Sequence, residues 1–345
     1  MKTNKLIQTS IVLILSIFFS ACSTINSNYE QAKAPIPKTW PKGESYKNQI
    51  TTEKKELKLW KDMILDENLK KVIELALKQN RSLKEEIATI NSARASYQVQ
   101  NSSEFPTINA EVSGSKARTL SGSSTNISES YKANIGLSSY ELDFFDKAKN
   151  LSLADFESYL SAIEAEKTTR ITLIAEVANA WLTMASDKSL LDFAKQTSIS
   201  SKKSLDIIES RVKLGVDDKG TLYDAQTVYF QAIADLEKYK TSVAQDLNAL
   251  NLLVGESVKE EFLPSSLDEN KEYLSTIPVS LSSNILLNRP DILEAEHNLK
   301  SANANISVAR AAYFPSISIT TTAGLASAAL SNLFTGGATS IWAFA

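Results

Sequence analysis

By residue type, two side chains in this 345-residue chain could do chemistry on their own account, Cys22 and His297. A single thiol cannot close an intrachain disulfide. A zinc site built from several His or Cys ligands is excluded, as is a Ser-His-Asp triad not built on His297. His297 stands at a helical position between Glu296 and Asn298. That places it on a solvated or packed face rather than in a catalytic arrangement. Glycine occurs 10 times, under half of the roughly 7% usage of an average chain. Neither GxGxxG nor GxxxxGKS/T is present, so no phosphate cradle is indicated. The 37 basic and 40 acidic residues give a net charge of -3, which lacks the basic field that nucleic acid needs. No catalytic residue, metal site or cofactor is expected.

Cys22 has an informative setting. Lys2 and Lys5 precede an apolar run from Ile11 to Phe19, and Ser20 and Ala21 then lead to the cysteine. The run is too short for a membrane-spanning helix, which needs about 20 residues. It suits the apolar region of a secretory signal. The arrangement resembles a bacterial lipoprotein signal, which implies cleavage before Cys22 and lipid on its thiol. An ordinary signal followed by a free thiol is the alternative. The sole cysteine lies at the cleavage point, and a free thiol is a liability in an oxidising compartment. Ser23, where Asp would retain such a lipoprotein on the inner membrane, implies passage to the outer membrane.

The elements behind these residues are mostly long helices. Residues 23–60 carry Pro35, Pro37 and Pro41 without a period and read as an extended tail. The spacing predicts a helix from Asp62 to Lys78, with Ile64, Leu65, Leu69, Val72, Ile73, Ala76 and Leu77 on one face. A second helix is predicted from Ser82 to Ser102. Thr107 to Ser113 then alternates, Ile108, Ala110 and Val112 against Asn109, Glu111 and Ser113, as a strand does. The Ser-, Gly-, Thr- and Asn-rich stretch 114–130 reads as a long loop. Alternation resumes at Tyr131, with Ala133, Ile135 and Leu137 opposite Lys132, Asn134 and Ser138. The apolar face could cover a soluble core, or it could face lipid in a barrel wall with the polar face on a wet lumen.

No Pro or Gly interrupts Leu151 to Leu214, which predicts a helical rod of roughly 95 Å. Gly215 and Gly220 bracket a turn, and Thr221 with Asp224 reads as a capping-box start. The return helix to Val254 carries heptads: Leu222, Tyr229, Leu236, Val243 and Leu250 in one seam, Ala225, Ala232, Tyr239 and Leu253 in the other. Asp246 alone breaks the second seam. Such repeats specify a coiled coil. After an irregular stretch, a helix covers Pro290 to Ala312, and Phe314-Pro315 opens another alternating strand.

A shift of 209 residues superposes the two helix–strand junctions. Glu85, Ser92, Ala93, Ala95, Val99, Phe105, Pro106 and Ile108 meet identical Glu294, Ser301, Ala302, Ala304, Val308, Phe314, Pro315 and Ile317. Proline ends the helix and forces extended geometry on the residue before it. The repeat is a duplicated half-protein.

With residues 289–317 (RPDILEAEHNLKSANANISVARAAYFPSI), Cys22, LWKD at 59–62 and RVKLG at 211–215, the chain resembles the TolC-like outer-membrane efflux proteins. The likeness is to the lipoprotein subgroup serving resistance-nodulation-division pumps. It implies a mainly α fold with a small membrane β part. It further implies a homotrimer with a shared 12-stranded barrel continued by an α-helical coiled-coil tunnel. It implies a periplasmic adaptor protein meeting a tip at Arg211, Leu214 and Gly215, an inner-membrane pump supplying energy, and outer-membrane lipid around the barrel. Lumen-facing candidates are Asn109, Glu111, Lys132 and Asn134.

The expected organisation is a signal at 1–21, a lipidated tail at 22–60 and periplasmic helices at 61–104. A first barrel hairpin at 105–141 and a coiled-coil hairpin at 142–254 follow. An equatorial linker at 255–287, a repeat-two helix at 288–313 and a second barrel hairpin at 314–345 complete it. The family pattern continues beyond Ala345, so the second hairpin is expected to be cut short, with a fourth strand just starting and no assembly of this form into a conducting trimer. The expected function is passive exit of drugs or other small toxic compounds. A protein-secretion duct and a structural periplasmic lipoprotein are the competing readings.

Overall fold

A computed structural model of the chain describes residues 29–31, 33, 35–36, 59–122, 124–268, 270–276 and 283–345. Cys22, the signal-like segment and most of the 22–60 tail lie outside them. The helices are α1 (Trp60–Met63), α2 (Glu67–Gln79), α3 (Arg81–Ser102), α4 (Lys147–Lys213), α5 (Lys219–Val254) and α6 (Pro290–Ala311). The strands are β1 (Ile108–Ser121), β2 (Ser124–Glu141), β3 (Ser318–Ser327) and β4 (Thr339–Phe344). The fold is mainly helical with one small antiparallel sheet, in the order β1-β2-β3-β4. Two compact units are present, one holding Asn91–Ser161 with Ala295–Ala345, the other Ala162–Glu294 with the described part of Lys33–Ile90.

The repeat is visible in the element bounds. α3 and α6 are both 22 residues long and end at Ser102 and Ala311, positions 209 apart. In each copy the Phe N–H closes the last turn, Phe105 to Ser102 O at 3.2 Å and Phe314 to Ala311 O at 3.1 Å. Phe314 stacks on Phe145, with ring centroids 4.6 Å apart. The start of α4 is capped by Asp143, which accepts from the Lys147 N–H at 2.6 Å and the Lys149 N–H at 3.0 Å. This sets the helix four residues before the predicted Leu151. In the same unit, small residues are buried on both α4 and α6, among them Ala154 and Ser161 on α4 and Ala304, Ser307 and Ala311 on α6. Ser158 and Ser301 join hydroxyls between them at 3.1 Å. His297 takes the packed alternative, its Nδ1 lying 2.7 Å from Glu157 Oε2.

The other unit has an apolar core. Leu69, Val72, Ile73 and Ala76 of α2 pack with Leu173, Val177, Trp181 and Met184 of α4 and Leu250 and Val254 of α5. The single helix predicted for Asp62–Lys78 is instead two. Asp66 caps α2 by accepting from the Leu69 N–H at 2.9 Å. Ile64 leaves the helix to bridge Leu274, and the Leu65 N–H donates to Tyr273 O at 2.9 Å. Helical spacing at Ile64 and Leu65 was therefore coincidental, because a partner from the 255–287 stretch claims those backbone groups. That stretch is tied down along α4, where Trp181 Nε1 donates to Phe262 O at 3.0 Å and Lys188 Nζ to Pro264 O at 2.7 Å. On α5, every heptad position named above is buried or half-buried, Asp246 included.

Candidate functional site

Two surfaces concentrate the features singled out by the sequence. The first is the sheet. Residues directly opposite in an antiparallel pair share a face. The register pairs Ile108 with Leu137, Ala110 with Ile135 and Val112 with Ala133. It continues through Ile135 with Ala323 and Ala133 with Leu325, then Ala323 with Trp342 and Thr321 with Phe344. One face is thus apolar across all four strands. Among the described residues it has no cover: Ile108 is 70% exposed, Val112 71% and Trp342 81%. Of the two readings left open by the alternation, the soluble-core one finds no support, because no described residue packs a core under this face.

The opposite face carries Asn109, Glu111, Lys132 and Asn134 together. Glu111 pairs with Asn134, Lys132 with Ser113, and Asn109 with Gly136. Asn109 Nδ2 donates to Ser138 Oγ at 2.7 Å. At two points on this face the neighbouring backbone comes so close that a side chain does not fit. A Cβ at Gly324 would lie 2.2 Å from Ala133 O, and one at Gly136 would lie 2.3 Å from Thr321 O. Glycines at such points let a sheet bend sharply. A bulge between Leu137 and Tyr140, with Ser139 at φ 52°, restores the phase so that Tyr140 pairs with Ile319. Tyr140 then reaches Glu104 O through its hydroxyl at 2.9 Å. Sequence reading missed both glycines and the bulge, since neither interrupts the visible alternation enough to be seen.

The predicted loop at 114–130 is instead strand on both sides of a tight turn. β1 runs to Ser121 and pairs residue by residue with β2 back to Ser124, around Gly122 at φ +63°. Pairing needs backbone donors and acceptors, not apolar side chains. Where both faces are wet, alternation disappears from the sequence while the ladder continues. Lys116 and Glu129, directly opposite, add an ion pair at 2.5 Å.

The second surface is the turn between α4 and α5. Gly215 adopts φ +71°, the left-handed conformation that glycine takes without strain. Its N–H bonds to Val212 O at 3.0 Å and the Val216 N–H to Arg211 O at 2.9 Å, the two bonds of a Schellman stop. The start of α5 corrects the expected Thr221 cap. Asp218 is the N-cap, accepting from the Thr221 N–H at 2.8 Å. Thr221 occupies the third helical position, so the motif reads D-x-x-T rather than T-x-x-D. Hydrogen bonds from the Thr221 backbone and hydroxyl hold the Asp218 carboxyl below its usual range. Arg211 is engaged inside the turn: Nε and Nη2 meet Asp217 at 2.6 and 3.0 Å. Leu214, 80% exposed, and Val216, 62% exposed, are the groups the turn displays.

Known proteins match the chain along most of its length. The chain matches the outer membrane efflux protein family over residues 72–256 and 281–343. It is 34% identical over 329 residues to the probable efflux pump outer membrane protein TtgC of Pseudomonas putida, covering 94% of this chain and 68% of that protein. A crystal structure of a membrane protein from Pseudomonas aeruginosa superposes with a TM-score of 0.82 at 33% identity, over 93% of this chain and 72% of that one. The open state of the Neisseria gonorrhoeae MtrE outer membrane channel gives 0.79 at 32%, over 93% and 70%. The chain belongs to the outer membrane efflux protein family.

Proposed function

We propose that this protein is one subunit of a homotrimeric duct that lets drugs or other small toxic compounds leave the cell, passively, across the outer membrane. The observation that carries it is the uncovered apolar face running across four strands opposite a polar one. Such a sheet is stable where lipid replaces water on one side only. The outer edge of β1 has no partner among the described residues. Open edges are not tolerated in hydrocarbon, so further copies complete the wall. Asn109, Glu111, Lys132 and Asn134 then line the wet interior, and their mixed charge sets ion preference. Cys22 carries the lipid that holds the N-terminus at the membrane. The helices continue the path into the periplasm as a coiled-coil tunnel. The tip meets a periplasmic adaptor through Leu214 and Val216, with Gly215 fixing the turn and Arg211 bracing it through Asp217. An inner-membrane resistance-nodulation-division pump supplies the energy. Catalysis has no part in this scheme.

The tip carries the test. In a form that carries the whole second barrel hairpin, Leu214→Arg is expected to abolish drug resistance in cells while leaving a heat-resistant trimer on a gel. Unchanged resistance at normal expression refutes the tip assignment. A missing trimer in that form without the substitution refutes the duct itself, and would favour a structural lipoprotein.

A further inference from the structure

Charge changes faces along the β1–β2 hairpin. Beside Ile108, Ala110 and Val112 the charged residues, Glu111 and Lys132, stand on the polar face, and the apolar face carries none. The pair Gly114–Tyr131 ends that band. A Cβ at Gly114 would lie 3.0 Å from the Tyr131 ring, so the ring lies close over the glycine. Toward the Gly122 turn the arrangement inverts. Lys116, Glu129 and Arg118 continue the apolar face, whereas Ser115, Ala117 and Thr119, opposite Ser130, Ser128 and Asn126, leave the other face uncharged.

The three charges are not equivalent. Lys116 is paired with Glu129 at 2.5 Å, and the Tyr131 hydroxyl donates to the same carboxylate at 3.4 Å. Arg118 has no acid partner among the described residues, and directly opposite it stands Ile127. Leu120 shares that face, and Arg118, Leu120 and Ile127 are all exposed. One positive charge is thus left over, set among apolar side chains. Arg118 lies ten places along the strand from Ile108. At about 3.4 Å per residue and a tilt of about 40°, it stands about 26 Å above that residue, close to the height of a barrel's apolar band. At this level an arginine keeps its stem on apolar surface and its head among lipid headgroups. A guanidinium takes a phosphate there through two parallel N–H···O bonds. The Gly122 turn is at the end of the hairpin away from α3, hence in the outer leaflet, which in an outer membrane is phosphorylated glycolipid. We infer that Arg118, with Lys116 beside it, binds the phosphate of such a glycolipid, whose acyl chains lie along Val112 and Ala133. Glu129 restrains the site by holding Lys116. This assignment rests on the sheet being a membrane wall and adds which lipid the wall prefers.

Native mass spectrometry in neutral detergent reads the site, on a form that carries the whole second barrel hairpin. With added diphosphoryl lipid A, the trimer is expected to retain lipid and Arg118→Gln to retain severalfold less. Arg118→Lys should fall between them, since an ammonium keeps the charge and loses the fork; it decides the matter if Arg118→Gln does not assemble. Glu129→Gln frees Lys116 and is expected to retain more than the parent. Lipid A stripped of its phosphates should be held no better by the parent than by Arg118→Gln. Equal retention by parent and Arg118 variants, or by the parent with and without the phosphates, overturns the inference and leaves the membrane wall standing. Failure of the unsubstituted form to insert into vesicles of any composition refutes the wall, and the site with it.

Discussion

The sheet and the core around Trp181 sort their residues by the same rule and dispose of them in opposite ways. In the core, Leu69, Val72, Ile73, Val177 and Leu250 are out of contact with water because α2, α4 and α5 enclose them. In the sheet, Ile108, Val112, Ile135 and Trp342 form an equally consistent apolar face and remain exposed. Amphipathic patterning therefore says that a face wants an apolar neighbour and does not say which one. For the core the neighbour is this chain. For the sheet it is the membrane. Substitutions on the two surfaces should then answer to different solvents.

The largest effect belongs to the core. Leu250→Ala removes a fully buried side chain shared by three helices. It is expected to cost about 2–5 kcal/mol, through lost transfer energy and the cavity left behind. Thermal unfolding followed by helical circular dichroism should show the loss equally in detergent and in lipid vesicles. A loss that appears in only one of these would blur the distinction between the two surfaces.

Ile135→Arg on the sheet should behave differently. An arginine on the lipid face costs about 2–4 kcal/mol near the bilayer midplane and less toward the interface. Insertion into vesicles is expected to fall while the helical melting temperature in detergent stays put. Lys132→Ser, on the other face of the same strand, is expected to insert normally and to alter only ion preference in conductance. If both substitutions block insertion alike, the two-faced reading of β2 is wrong.

How much of this was visible beforehand divides along the same line. The helices and the Phe-Pro junctions were legible, because local rules govern them: heptads in α5, proline in the helix-ending position, glycine at 215. The apolar band of the hairpin was legible from residues 108–112 and 131–137 for the same reason. Its true length was not, since Ser115, Thr119, Asn126 and Ser128 continue the backbone ladder without apolar alternation and face water on either side. The break at Ile64–Asp66 was hidden because its cause is remote, a strand-like contact with Leu274 and an ion pair with Lys271. At the tip, the glycine was readable, but the Asp217 clasp on Arg211 was not, since nothing in the spacing separates a braced arginine from a free one.

The remote ion pair gives the smallest effect and the sharpest control. Asp66 is buried at the start of α2, where it caps the helix and meets Lys271. Burial alone would raise its carboxyl, but hydrogen bonds from Lys271 and the Leu69 N–H, with the lysine charge, hold it below the usual 3.8. A group lowered in the folded state contributes stability above its unfolded value and loses it as pH falls through its folded one. Asp66→Asn keeps an N-cap side chain and removes the charge. The variant is thus expected to be less stable than the parent at neutral pH, with the gap closing once pH drops below 3.8. Lys271 is half exposed, so salt should narrow the same gap at neutral pH. Acid therefore weakens this contact. A gap between parent and variant that stays constant as pH falls would mean that the Asp66 charge does not act through this contact.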